Sequence, residues 1–234
     1  RILSRKADKI CVAYDGMDKY FPKLSLVKTG NPVRKIITRS IIKKDEAVSH
    51  FNLNPNKKTL LVLGGSLGAR TINESINDGL KKILDAGIQV LWQTGKNYYE
   101  TAKHTTQKVG SENVYVKDFI SEMDYAYAGS DIIISRAGAI SVSEICIAAK
   151  PAIFVPSPNV AEDHQTKNAM ALVNQNAAMM VRDSESRIML VNRLLELIKN
   201  TELQEQFKNN ISKLKILNAA ETIADEILQM AQID

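Results

Sequence analysis

The sequence predicts an α/β protein built on a Rossmann-like, doubly wound parallel sheet. Strand-like apolar runs alternate with helical segments along most of the chain, and this alternation is typical of parallel βαβ units. Two of the runs lead into turns of small residues followed by a helical pattern, LVLGGSLGAR at 61–70 and SRAGAISVSE at 135–144. In such sheets, turns of this kind lie at the carboxyl ends of strands, where ligands bind.

The alternation predicts six strands with helices between them. The strands are Thr59–Leu63, Ile88–Gln93, Val114–Val116, Asp131–Ser135, Ala152–Val155 and Ala178–Val181. The helices are Ala69–Asp85, Tyr98–Lys108, Met123–Ala128, Ser141–Ala149 and Asp163–Asn174, and a helix-rich tail runs from Glu185 to Ile233. Crossovers of this length are right-handed and place helices on both faces of the sheet.

The two ends of the chain are less regular. A helical piece (Ile2 to Lys9), a short strand (Ile10 to Tyr14) and an apolar run (Leu24 to Lys28) precede the turn TGNP at 29–32. Because this pattern starts in the middle of an αβ unit and lacks an initiator methionine, we expect a piece of a longer protein. A final helix is expected at Glu221 to Ile233. One of its faces is apolar and needs a partner surface, through Ile223, Ile227, Leu228 and Met230.

Composition narrows the class of protein. Of the 234 residues 44% are hydrophobic, which is enough for a sizeable core. No apolar run approaches the roughly 20 residues of a membrane span, and no signal peptide is evident, so a soluble cytoplasmic protein is expected. Cys11 and Cys146 are far apart and predict neither a disulfide nor a thiolate metal site.

The charge balance is mildly basic. A net charge of +5 suits a phosphorylated small molecule or an anionic lipid surface, and many uncharged partners too. Basic residues gather in VRKIITRSIIKK at 33–44, but no aromatic residues are interleaved with them. This favours a solvated surface over a binding patch, and no nucleic-acid partner is predicted.

The first glycine turn does not match the common nucleotide fingerprints. Gly64, Gly65 and Gly68 give G-G-x-x-G rather than G-x-G-x-x-G, and the strand ending in WQTG at 92–95 carries no acid for a ribose. No nucleoside-triphosphate loop is present in the sequence. Backbone amides, the Ser66 hydroxyl and the following helix N-terminus could still hold a phosphate. A tight strand-to-helix turn without a ligand is the alternative.

The second turn offers a carboxylate to a ligand. Glu144 lies about one turn into the next helix, where it could accept two hydrogen bonds from the vicinal hydroxyls of a ribose. However, Ser141-x-x-Glu144 also has the spacing of a capping box, in which the glutamate serves only its own helix. Spacing alone favours the cap.

A third polar segment, PSPNVAEDHQTKNA at 156–169, follows the fifth predicted strand. Asp163 is a candidate N-cap, and Gln165 and Asn168 lie three residues apart on one helix face. Neutral amides suit sugar hydroxyls because they both donate and accept hydrogen bonds, although any exposed first turn is polar. The three histidines, His50, His104 and His164, show no metal-ligand spacing, so no metal is predicted.

Together these stretches resemble one known family. GGSLGARTINESI, QTGK, FISEMDYAYAGSDIIISRAGAISVSEI, PAIFVPSP and DHQTKNA occur in the order found in the C-terminal half of the MurG family. The resemblance covers the chain from Asn31 to about Asn174. It implies a two-domain GT-B glycosyltransferase that moves N-acetylglucosamine (GlcNAc) from uridine diphosphate (UDP)-GlcNAc to undecaprenyl-diphosphate-linked muramyl-pentapeptide. It also implies a peripheral location on the cytoplasmic face of the bacterial membrane, and no cofactor.

The resemblance assigns a role in binding UDP-GlcNAc to particular residues. Ser66 would contact the diphosphate in the loop of Gly64 and Gly65, and Arg34 would lie near the donor. Ile120 would hold the uracil through its backbone. Glu144 would bind the ribose, while Gln165 and Asn168 would bind the sugar. The nucleotide-sugar would be enclosed by Ala139, Ile140, Ser141, Val142, Ser143 and Glu144.

The resemblance also predicts a division of the chain. Residues 1–34 would end the acceptor domain, 35–218 would form the donor domain, and 219–234 would form a helix that packs back on the acceptor domain. The family's acceptor loop and its histidine have no counterpart here, so we expect donor binding and little catalysis. A non-hydrolysing UDP-GlcNAc 2-epimerase and a non-catalytic UDP-sugar-binding subunit are the alternatives. A nicotinamide oxidoreductase is disfavoured by the missing acid.

Overall fold

Parallel strands form the central sheet of the protein, whose computed structural model describes residues 3–14, 16–64 and 68–231. The strands of the chain are β1 (Ile10–Val12), β2 (Leu26–Lys28), β3 (Lys58–Leu63), β4 (Ile88–Gln93), β5 (Val114–Lys117), β6 (Ile132–Ser135), β7 (Ala152–Phe154) and β8 (Met179–Met180). The central sheet contains six of them, all parallel, in the order β5-β4-β3-β6-β7-β8. The six predicted strands are therefore confirmed, with small shifts at their ends.

Helices connect the strands and continue to the end of the described chain. They are α1 (Lys35–Thr38), α2 (Lys44–His50), α3 (Arg70–Asp85), α4 (Tyr99–Val109), α5 (Met123–Gly129), α6 (Ala139–Ala148), α7 (His164–Val173), α8 (Ser186–Lys199), α9 (Thr201–Ser212) and α10 (Ala219–Ala231). The five helices predicted between the strands are all present, and α10 confirms the predicted final helix as far as Ala231, the last described residue. No helix among the described residues is long and apolar enough to span a membrane.

Both faces of the central sheet are buried. Along β3, Leu60 and Val62 face a core that contains α3, α4 and α8, whereas Leu61 and Leu63 face a core that contains α2, α5, α6 and α7. Successive side chains of a strand point to opposite faces, so a strand covered on both sides is apolar throughout. This explains the continuous apolar run of β3 and confirms the prediction of helices on both faces.

A buried amide ties α3 to the end of β4. The Asn73 side chain donates through Nδ2 to the carbonyl oxygen of Thr94 at 2.7 Å and accepts through Oδ1 from the Trp92 indole at 3.0 Å. Asn73 is buried, as is the Trp92 ring. Because both its donor and its acceptor are satisfied, the amide fixes the first turn of α3 against the carboxyl edge of the sheet.

The residues before β3 are more structured than the sequence indicated. β1 and β2 pair in parallel as a separate two-stranded sheet, while the helical piece expected at 2–9 is only a 3₁₀ turn at Leu3–Lys6. The basic segment 33–44, predicted to be a solvated surface, contains α1 and buries Ile37, although Ile41 is 94% exposed. Short helices of this kind have too few turns for a clear periodic signal.

Gly79 lies in the interior of α3, where it allows α8 to approach closely. A Cβ added at Gly79 would lie 2.6 Å from Cγ2 of Val191 on α8. Because Val has a branched and rigid side chain, the helices would have to separate. We expect Gly79→Ala to lower the free energy of unfolding by about 1–3 kcal/mol through overpacking, even though alanine is the better helix former by about 1 kcal/mol.

Denaturant unfolding measures this change. In the double variant Gly79→Ala/Val191→Ala the loss should be smaller than the sum of the two single losses, because the second substitution removes the clash. A gain in stability for Gly79→Ala alone would contradict the packing explanation.

Candidate functional site

The candidate site lies where the strand order of the central sheet reverses. β3 and β6 are neighbours, and their last residues, Leu63 and Ser135, are paired directly in the register of the sheet. The turns that follow β3 and β6 therefore leave the same edge of the sheet side by side. In open parallel sheets the crevice at this point is the usual ligand site.

In the part of the first turn that the structure describes, the backbone leaves no room for a side chain at Gly64 or Gly68. A Cβ at Gly64 would lie 2.7 Å from the amide nitrogen of Ala69, and one at Gly68 would lie 2.5 Å from the carbonyl oxygen of Thr94. Gly68 also has φ of +82°, a conformation that favours glycine. The predicted phosphate-loop residues Gly65 and Ser66 lie outside the described residues.

The second turn begins its helix earlier than the sequence indicated. α6 starts at Ala139, its N-cap is Gly138, and no side chain caps it. Ser141 is therefore inside the first turn and cannot be the N-cap, so the capping-box interpretation of Ser141 and Glu144 is wrong. The small residues before Ala139 allow the backbone to enter the helix without a polar cap.

The Glu144 carboxylate is instead bound by two side chains from other elements. Its Oε1 accepts a hydrogen bond from Nε of Arg34 at 3.1 Å and lies 3.0 Å from Nη2 of the same guanidinium in an ion pair, and its Oε2 accepts from the Tyr127 hydroxyl at 3.0 Å. Glu144 is only 6% exposed. The structure thus places a buried, paired carboxylate in the middle of α6. The sequence did not reveal Tyr127 as its partner.

The environment keeps the Tyr127 hydroxyl a hydrogen-bond donor. Burial raises the pKa of Tyr127 well above its ordinary value, and the neighbouring Glu144 charge raises it further. Both effects disfavour a phenolate beside the carboxylate. Tyr127 therefore remains protonated across the physiological pH range.

The turn before α1 is attached to the same helix. Nδ2 of Asn31 donates to the Ser143 hydroxyl at 3.0 Å and to the carbonyl oxygen of Ala139 at 3.4 Å. The predicted segment 139–144 is thus accessible only in part: Ile140 is 46% exposed, whereas the Val142 side chain is buried in the core. Any ligand contact at Val142 is therefore restricted to its backbone.

Ile120, the residue predicted to hold the uracil, is enclosed by the protein. Ile120 is buried, and its amide donates to Oε1 of Gln93 at 2.9 Å. Since Gln93 already occupies that amide, the predicted backbone contact of Ile120 with a base is limited to its carbonyl oxygen.

The two predicted sugar residues lie on α7, and each has one internal hydrogen bond. Oε1 of Gln165 accepts from the amide of Ser157 at 2.9 Å, and Nδ2 of Asn168 donates to the carbonyl oxygen of Ala137 at 3.0 Å. Asp163 occupies the N-cap position as predicted but makes no backbone cap, because its Oδ1 accepts from the Thr166 hydroxyl at 2.6 Å. Asn168 thereby connects α7 to the turn after β6.

Comparison with known proteins identifies the family. The family model described as the glycosyltransferase family 28 C-terminal domain matches residues 59–227. The chain belongs to this family. The predicted resemblance and the GT-B, Rossmann-like fold class are confirmed.

Individual relatives agree with this assignment. A Parabacteroides distasonis protein named UDP-N-acetylglucosamine--N-acetylmuramyl-(pentapeptide) pyrophosphoryl-undecaprenol N-acetylglucosamine transferase is 49% identical over 98% of this chain and 62% of its own length. The crystal structure of Acinetobacter baumannii MurG matches 97% of this chain and 62% of that one, with a TM-score of 0.74 and 27% identity. The chain thus spans less than two thirds of these relatives.

A more distant structure shares the fold alone. The S. aureus MnaA-UDP co-structure matches 93% of this chain and 58% of that one, with a TM-score of 0.65 and 15% identity.

The family 28 domain contains a further buried charge that the sequence analysis missed. Nη1 of Arg136, directly after β6, donates to the carbonyl oxygens of Val155 and Pro156, each at 3.1 Å, and forms an ion pair with Asp183. Oδ2 of Asp183 in turn accepts from the Thr71 hydroxyl on α3 at 3.0 Å. Arg136 therefore holds together the loops that follow β6, β7 and β8. The feature of the sequence that could have indicated this ion pair is Arg136 itself, a charged residue between the apolar run of β6 and a turn of small residues.

We expect Asp183→Asn to lower the free energy of unfolding by about 1–3 kcal/mol, because it leaves the largely buried Arg136 cation without its counter-charge. Denaturant unfolding measures the effect. The matched control is Glu185→Gln, which removes an exposed carboxylate 3.9 Å from Arg182 and should change stability by about 1 kcal/mol or less. Equal small effects for both variants would contradict a structural role for the Arg136 pair.

No group of three or more His, Cys, Asp or Glu side chains within the described ranges is arranged to hold a metal ion.

Proposed function

We propose that this chain binds UDP-GlcNAc as the donor domain of an inverting N-acetylglucosaminyltransferase. The acceptor would be undecaprenyl-diphosphate-linked N-acetylmuramyl-pentapeptide, and the reaction would complete the lipid intermediate of peptidoglycan synthesis. Family membership and the name of the Parabacteroides relative support this proposal. The observation that carries the donor role is the Glu144 carboxylate, buried at the switch point and not used as a helix cap.

Glu144 is the proposed ligand of the ribose. An ionised carboxylate only accepts hydrogen bonds, and its two oxygens together offer about four acceptor positions. The structure uses one position for Tyr127, and Arg34 occupies the other oxygen. Two adjacent nitrogens of Arg34, Nε and Nη2, lie beside Oε1. The hydroxyls of a vicinal diol are likewise adjacent donors, so they can take the place of these nitrogens at Oε1.

The diphosphate would lie between the two turns. The N-termini of α3 and α6 leave neighbouring strands, and each contributes about half a positive charge and free amides. These groups would also stabilise the charge that develops on UDP as it leaves, because they are already oriented before the reaction. Arg34 would add a mobile cation near the donor.

The sugar would contact the amides of α7. After their internal bonds, Gln165 retains its Nε2 donor and Asn168 retains its Oδ1 acceptor. One donor and one acceptor on the same helix face match the hydroxyls of a hexose ring. The internal bonds restrict the rotamers of both side chains, which reduces the entropy lost on binding.

The predicted division into domains is part of the proposal. Residues 1–34 would belong to the acceptor domain, and the helix at 219–234 would pack against it. The separate β1–β2 sheet and an ion pair of 3.3 Å between Lys9 and Glu226 of α10 support this arrangement. The acceptor, the catalytic base and peripheral contact with the cytoplasmic face of the membrane are proposed for the complete protein.

Isothermal calorimetry with UDP-GlcNAc tests the donor site. We expect Glu144→Ala to weaken binding about 10- to 150-fold, because hydrogen bonds to a charged group contribute about 1.5–3 kcal/mol. Thermal unfolding of the same samples separates lost contacts from lost folding.

The matched control is Glu196→Ala, which removes an exposed carboxylate that also pairs with an arginine, Arg193 at 2.8 Å on α8. It should leave the affinity unchanged. An unaltered affinity in folded Glu144→Ala would disprove the ribose role of Glu144. Absence of UDP-GlcNAc binding by the unsubstituted chain would disprove the proposed function.

A further inference from the structure

The two oxygens of the Glu144 carboxylate have partners of different kinds. Oε2 is bound by Tyr127, which is 3% exposed, whereas Oε1 is bound by Arg34, whose side chain is 48% exposed. The carboxylate is therefore fixed on one side by a core residue and covered on the other by a surface residue. The two oxygens of Glu144 therefore differ in how firmly their partners are held in place.

Tyr127 has little freedom to move. Its ring belongs to the core cluster of the face that contains α5 and α6, and its carbonyl oxygen accepts from the Ser130 hydroxyl at 3.0 Å. The ring is thus held by packing and the backbone of α5 by a hydrogen bond at the end of the helix. A displacement of the Tyr127 hydroxyl would require repacking of the core.

Arg34 can leave the carboxylate at a much lower cost. It precedes the four-residue helix α1, and about half of its side chain is in contact with solvent. Partly exposed ion pairs contribute little stability, because water can replace the partner. Both of its contacts are to the same oxygen, Oε1, so its departure frees a whole acceptor atom at once.

A glutamate carboxylate needs such a restraint before it can recognise a diol. The terminal torsion of glutamate is broad, so a carboxylate with exchangeable partners on both oxygens would rotate through many orientations. One fixed partner removes that freedom and directs the second oxygen toward the site.

We propose that Tyr127 is a positioning residue, which holds Oε2 of Glu144 so that Oε1 receives the ribose diol after Arg34 releases it. This inference rests on the proposed function, because it concerns the same UDP site. Tyr127 itself does not contact the ligand. Arg34 lies at the oxygen that the diol would take, so the diol exchanges with Arg34 on binding.

The test compares UDP with 2′,3′-dideoxy-UDP by calorimetry on the full chain. Tyr127→Phe should weaken UDP binding about 3- to 10-fold, as expected for one lost hydrogen bond, and leave the affinity for the dideoxy analogue unchanged. A purely structural role would weaken both ligands equally, so that result would overturn the proposal. Unchanged affinity for UDP would overturn it too.

The matched control is Tyr125→Phe on the same helix. The Tyr125 hydroxyl donates to Glu46 at 3.3 Å, away from Glu144, so its removal should alter neither affinity. In a Glu144→Ala background, Tyr127→Phe should cause no further loss of UDP affinity, because its effect passes through the carboxylate. A full additional loss would contradict the assignment.

Arg34→Met provides a second variant that does not disturb the core. If Tyr127 positions the carboxylate and Arg34 only covers Oε1, the ratio of UDP to dideoxy-UDP affinities should be maintained or rise, because the diol no longer has to displace Arg34. A fall of that ratio toward one would show that Arg34 positions Glu144. This result would overturn the proposal even if Tyr127→Phe did not fold. Failure of the unsubstituted chain to bind UDP would instead remove the proposed function itself.

Discussion

The pairing of β3 with β6 is the constraint on which the rest of the site depends. Because the two strands are parallel and end at paired residues, Leu63 and Ser135, both following turns open at one level of one edge. The sheet is covered by helices on both faces, so its edge is where polar side chains can gather without entering a core. Asn73 fixes its segment against that edge through a buried hydrogen bond, and Arg136 does so through partly buried ones.

The buried charge at α6 has a physical explanation in this arrangement. Because α6 begins after Gly138 rather than at Ser141, Glu144 faces α5 and the turn before α1 instead of its own N-terminus. A carboxylate with such low exposure is tolerated because donors occupy both oxygens. The same pairing orients the carboxylate, so under the proposed ribose role stability and recognition would use one set of contacts.

The central sheet could be predicted from the sequence because its signal is local. Continuous apolar runs such as that of β3, followed by Gly64, indicate buried parallel strands without any knowledge of the neighbours. α1 and α2 were not predicted, since both are short and lie in the irregular segment before the first strand of the central sheet. The partners of Glu144 were also beyond prediction from pattern, because Arg34 is 110 residues away and Tyr127 lies on a separate helix. Spacing alone favoured a cap, and only the resemblance pointed to a ligand.

The predicted site residues share a property that pattern alone does not reveal. Ile120, Gln165 and Asn168 each use one polar group inside the protein. Each therefore has its complementary group left for a ligand: a carbonyl oxygen at Ile120, an amide donor at Gln165 and an amide acceptor at Asn168. Such half-satisfied groups are restrained before a ligand arrives, so less conformational entropy is lost on binding. If these residues bind the donor as proposed, their internal hydrogen bonds favour a preformed site over one assembled by the ligand.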